Sequence, residues 1–136
     1  MVSKSFKAHE LVPEHIYRHY KEMSWKFINP KLIITIDLLK DHFNLGTMTI
    51  NNYFWGGSRK WSGWRTPKSE YYSETSQHSL GNAVDIVFSH YSAEEVRNYI
   101  IDNPHIFPYI KGIELGVEWV HIDVRNTDYV IIFKKD

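Results

Sequence analysis

The chain contains no cysteine. Disulfides and thiolate metal sites are therefore excluded, and any metal must be held by histidine and carboxylate. It carries no net charge: 16 Lys and Arg balance 16 Asp and Glu. No field of one sign argues for nucleic acid or an anionic membrane as partner. No apolar run approaches the ~20 residues of a membrane span. The segment Met1–Lys7 lacks the apolar stretch of a secretion signal, so synthesis in the cytoplasm is expected. No internal repeat, linker or low-complexity tract interrupts the chain. At 136 residues it reads as one domain, 1–136, expected to be monomeric and long enough to bury a core.

Aromatic residues, by contrast, are plentiful. Trp55, Trp61 and Trp64 crowd into a Gly-rich segment with Tyr53, Phe54, Tyr71 and Tyr72. Such a cluster makes either a core patch beneath a long loop or the wall of a substrate groove. Both readings stay open at this point.

Local patterns place the elements. Residues 8–22 read as a helical entry, with Pro13 suited to a first turn and Ile16, Tyr17 and Tyr20 on one face. His15 and His19 are four apart there, but with no third ligand nearby they read as surface histidines. Asn29 and Pro30 open a second helix whose stripe is Leu32, Ile36, Leu39 and Phe43; Asn44-Leu45-Gly46 closes it. Residues 47–54 alternate as a strand would. Residues 55–77 have no clean period, and a stretch of that length inside a compact domain is often functional. Strands are predicted over 81–88, 110–117, 119–125 and 129–133. A helix opens at Ser92 with Glu95 completing a capping box, and stops at Asn103-Pro104. Asn126-Thr127-Asp128 reads as a tight hairpin turn into the last strand. The class is α+β, with helices mostly in the first third and a small, mostly antiparallel sheet.

Two polar residues fit these strands badly. Asp85 stands in the middle of an apolar strand, where an unpaired carboxylate costs several kcal/mol. His121 and Asp123 share the polar face of a strand whose other face is Val120, Ile122 and Val124. With His78, seven residues before Asp85, the chain offers two imidazoles and one carboxylate. That donor set suits zinc better than calcium or magnesium, and leaves a fourth position for water. Glu118 lies three before His121. In a regular strand that spacing turns it to the opposite face, ~10 Å away, so it reaches the same site only through a bend. Gly116 is placed to allow one.

Ser76-x-His78-x-x-Gly81-x-Ala83-x-Asp85, followed by Glu118-x-x-His121-x-Asp123, resembles the zinc D-Ala-D-Ala carboxypeptidase family. That family includes phage endolysins cutting L-alanyl-D-glutamate bonds, and it shares the hedgehog/DD-peptidase fold. Ser62-Gly63-Trp64-Arg65-Thr66-Pro67 looks like the family's Ser-Gly-Tyr-Arg segment, with Trp for Tyr. The resemblance spans roughly residues 45–125. It implies one zinc ion on His78, Asp85 and His121, with Glu118 as general base. Arg65 would pair with a substrate carboxylate or steady the carbonyl oxygen; otherwise it is a loop arginine paired to the fold. Ser76 would donate to substrate or cap the turn, and Asp123 would orient a zinc histidine through its other ring nitrogen. The implied substrate is a peptidoglycan stem peptide. A short chain without a signal resembles the bacteriophage members, released at lysis or carried in a virion. A zinc-stabilised binding module without activity is the competing expectation.

Overall fold

A computed structural model describes residues 1–134. Three α-helices, α1 (Glu14–Tyr20), α2 (Pro30–His42) and α3 (Ala93–Asp102), accompany a five-stranded mixed sheet. The strands are β1 (Met48–Thr49), β2 (Ala83–Phe88), β3 (Gly112–Leu115), β4 (Val120–Asp123) and β5 (Ile131–Lys134), in the order β1-β2-β4-β3-β5. All neighbours are antiparallel except β3 and β5. No helix among the described residues is long and apolar enough to cross a membrane.

The helix signals act as their chemistry requires. The Asn29 side chain accepts a hydrogen bond from the Lys31 N–H at 2.9 Å, and Pro30 follows as the first helical residue of α2. Ser92 and Glu95 form the reciprocal capping box of α3. The predicted entry helix over 8–22 is instead three pieces: short 3-10 turns at Ala8–Glu10 and Lys21–Phe27, with α1 between. Pro13 sits just ahead of α1 as its cap, and Lys21 ends it with a φ of 49°. That left-handed conformation cannot continue an α-helix.

Two strand expectations are corrected. The strand over 47–54 shrinks to Met48–Thr49, paired with Phe88 and Val87. Beyond it the buried Asn51 side chain donates to the Val12 carbonyl and accepts from the Ser62 N–H. Asn52 likewise accepts from the Arg59 N–H. These amides satisfy loop backbone in place of a ladder. The hairpin expected at 126–128 does not form either. Both edges of β4 are already taken, by β2 and β3, so β5 passes over and pairs in parallel with the outer edge of β3.

The two faces of the sheet are different environments. Val84, Ile86, Ile113, Val120 and Ile122 share one buried core with Leu32, Ile36 and Leu39 of α2 and Val96 and Ile100 of α3. Their alternates, Asp85, His121 and Asp123, lie on the opposite face. They are buried too, beneath the segment between β1 and β2, which is turns and bends apart from a short 3-10 helix at Tyr53–Trp55. Ser62 accepts the Asp85 N–H at 2.8 Å and so fastens that segment to β2. Gly63 lies so close to the Leu11 carbonyl that a Cβ there would fall 2.2 Å from its oxygen. Only glycine fits that approach.

Candidate metal centre

The β2–β4 register sets Asp85 directly opposite His121, and Ala83 opposite Asp123. His78 enters from the turn that precedes β2. One ligand-capable atom from each of His78, Asp85 and His121 lies within 4.8 Å of the others, so the three could hold a metal ion. Asp85 Oδ1 is the meeting point: His78 Nε2 lies 3.3 Å from it and His121 Nδ1 lies 2.9 Å from it.

Hydrogen bonding on the far side of each ring fixes what these atoms offer. His78 Nδ1 lies 2.9 Å from the Gly63 carbonyl, which can only accept. That nitrogen therefore carries the hydrogen, and in the neutral ring Nε2 presents a lone pair towards Asp85. His121 Nε2 lies 3.1 Å from Asp123 Oδ2, a carboxylate gripped by Arg125 at Oδ1 and Oδ2. Its N–H belongs on that side, and Nδ1 presents a lone pair. Two imidazole lone pairs and a carboxylate oxygen thus converge in a buried space. Such an arrangement is tolerable only with a cation or a proton at its centre.

The electrostatics of the metal-free protein say the same. Burial alone would lower the pKa of His121; hydrogen bonds donated to Asp123 and Asp85 outweigh it and raise it to about 9. Burial would raise Asp85, yet hydrogen bonds to His121 and His78 hold it well below the ordinary carboxylate range. A proton is retained where a metal ion would otherwise supply the charge. The donor set therefore fits a divalent cation, with Asp123 and the Gly63 carbonyl orienting the two rings as metal-binding histidines require.

The site opens into a cavity of about 790 Å³. Arg65, Ser76, Glu114 and Trp119 line it with the three candidate ligands, and Trp61 and Tyr71 supply aromatic walls. Arg65 donates from Nε to the Trp61 carbonyl at 2.7 Å and from a terminal nitrogen to Asp85 Oδ2 at 3.0 Å. It thus holds the oxygen of Asp85 that does not meet the histidines. Burial pushes the Arg65 guanidinium below its ordinary pKa, opposed by Asp85 and, further down, by Tyr71 and Glu114. Ser76 accepts the His78 N–H at 3.2 Å, which is the capping role, while also facing the cavity.

The aromatic cluster splits between its two readings. Trp64 stacks on Phe27 at 4.4 Å and donates its indole N–H to the Ser79 carbonyl, as packing under a loop. Trp61 and Tyr71 wall the cavity. Phe54 and Trp55 are exposed, with Phe54 stacked on His9. Of the two helical histidines, His15 contacts the Thr66 hydroxyl at 3.0 Å and His19 is exposed.

The chain does bend at 116–119, with Gly116 at a φ of 79°. The bend carries Trp119 to the cavity but leaves Glu118 exposed and outside its lining. Its cause is Arg97, buried on α3, whose Nη1 donates to both the Val117 and Trp119 carbonyls at 3.0 Å. Arg97 and Glu114 carry no motif and were not singled out from sequence. A carboxylate between Ile113 and Leu115 was nonetheless the same kind of misfit that marked Asp85.

Comparison of the chain with protein-family models, with curated proteins and with solved structures gave no match.

Proposed function

We propose that this protein is a zinc metallopeptidase of the hedgehog/DD-peptidase fold that hydrolyses peptide bonds in peptidoglycan stem peptides, as a D-Ala-D-Ala carboxypeptidase or an L-Ala-D-Glu endopeptidase. The convergence of His78 Nε2, Asp85 Oδ1 and His121 Nδ1 at the floor of an open cavity carries this reading. The motif resemblance over residues 45–125 adds the substrate class. In such a site bound zinc lowers the pKa of water to about 7 and polarises the scissile carbonyl.

The chain's own residues do the rest. Asp123 and the Gly63 carbonyl keep both imidazoles in the tautomer that binds. Arg65 donates one N–H to Asp85 and one to the Trp61 carbonyl, and its other N–H groups serve a substrate carboxylate or the developing oxyanion. Trp61 and Tyr71 flank the peptide. Action on the cell wall after lysis-type release, or as part of a virion, belongs to the same reading. Hydrolysis also needs a carboxylate to take the water's proton. The outward position of Glu118 leaves that role to a carboxylate facing the cavity.

That same outward position favours a second reading, a zinc-stabilised binding module without turnover. The two separate in one experiment. Purified protein is analysed for zinc and incubated with muropeptides, with and without chelator. Peptidase action requires one zinc per chain and chelator-sensitive release of D-Ala or of a D-Glu amino terminus. Full zinc with inertness towards all wall fragments leaves only the binding module.

A further inference from the structure

Among the described residues, those lining the cavity include just two carboxylates, Asp85 and Glu114. Asp85 is engaged with both histidines and Arg65. Glu114 is half-buried on β3 and, among the described residues, has no hydrogen-bond or ion-pair partner. Its direction follows from the sheet. Gly112 faces Asp123 so closely that a Cβ on it would fall 2.2 Å from the Asp123 carboxylate. Two residues on, Glu114 shares that face. The β3–β4 register, continued one step beyond Ile113↔Ile122, sets Glu114 opposite His121. Side chains in such cross-strand positions have Cβ atoms about 4.5–5.5 Å apart. The glutamate sits on a paired strand, whereas Glu118 sits on a bend whose carbonyls Arg97 holds inward.

The geometry points to Glu114 as the general base of this site, an assignment that rests on the peptidase reading above. Water adds to the scissile carbonyl carbon as its proton passes to the Glu114 carboxylate. The C–N bond then breaks, and the same proton leaves with the amine. The second water proton passes from the new carboxylic acid to the amine, so the products are a carboxylate and an ammonium group, and Glu114 is restored. Its place beside His121 puts Glu114 in the lining of the same cavity as the three residues that would hold the metal.

The test uses zinc-loaded protein and the variants Glu114→Gln, Glu114→Asp and Glu118→Gln. Melting temperature and zinc content establish that each is folded and loaded. Glu114→Gln is expected to lower kcat on the muropeptide substrate by on the order of 10²–10⁴, with KM little changed. Glu114→Asp, which keeps a carboxylate on a shorter stem, restores part of it. A second readout does not need turnover. Titration calorimetry with a phosphinate analogue of the dipeptide, in buffers of different ionisation enthalpy, counts protons taken up on binding. The wild type is expected to take up about one as the base meets the anion, and Glu114→Gln none. Loss of kcat and of proton uptake at Glu118→Gln, with Glu114→Gln unaffected, returns the role to Glu118 and leaves the peptidase intact. A zinc-loaded wild type that neither cuts muropeptides nor binds the phosphinate overturns the peptidase reading, and Glu114 as base with it.

Discussion

The two faces of β2 and β4 are built from the same residues in alternation, yet they solve opposite problems. On one face Val84, Ile86, Val120 and Ile122 are fully buried against α2 and α3. Removal from water is itself the stabilising effect there, about 1.5–3 kcal/mol for each large apolar side chain. On the other face Asp85, His121 and Asp123 are nearly as buried, and removal from water opposes folding. That face is held by a chain of partners, from Arg125 through Asp123, His121 and Asp85 to Arg65. One face tolerates any well-packed apolar group; the other tolerates only the right charge at its centre.

The sharpest break in that comparison is Asp85→Ala. It removes a candidate metal donor and strands two imidazoles and Arg65. Zinc measured by elemental analysis is expected to fall from one per chain to none, with turnover lost entirely. A variant that kept full zinc would remove Asp85 from the site. On the opposite face, Ile122→Ala is expected to cost about 2–5 kcal/mol in denaturant unfolding while keeping zinc content. Loss of metal there would mean that the faces are not independent. Asp123→Asn keeps the three ligands and weakens the acceptor that orients His121. Zinc affinity from chelator competition is expected to drop about 10–100-fold, and an unchanged affinity would make Asp123 a partner of Arg125 alone.

The smallest effect is one of sign. In the metal-free protein His121 is raised from 6.5 to about 9. A raised folded pKa contributes stability that is fully present below 6.5 and lost as pH climbs to about 9. Zinc binding requires the same nitrogen deprotonated, so metal-loaded protein gains stability over that window. Thermal melts across it are expected to slope down without zinc and up with it. Parallel slopes would show that the proton on His121 and the metal do not compete for one place.

Much of this was legible because it is local. The Asn29-Pro30 start, the Ser92–Glu95 capping box and the period-two alternation of β2 and β4 depend on residues a few positions apart. Asp85 and His121 were readable as misfits because a charge inside an apolar period needs a reason. The sequence determined that the chain is α+β, which residues form α2, α3, β2 and β4, and that two histidines and an aspartate sit where polar groups should not. Only the tertiary structure decided how these meet. Pairing β4 with both β2 and β3 closed its edges, which sent β5 to the far side of β3 and cancelled the hairpin. Arg97, from a helix twenty residues away, holds two carbonyls inward at the bend where Glu118 turns out of the cavity that the family resemblance had assigned to it. The β3–β4 register brought Glu114 in. Strand partners and buried-carbonyl partners are chosen across the whole chain, by which edges and donors remain free. No window of neighbouring residues contains that information.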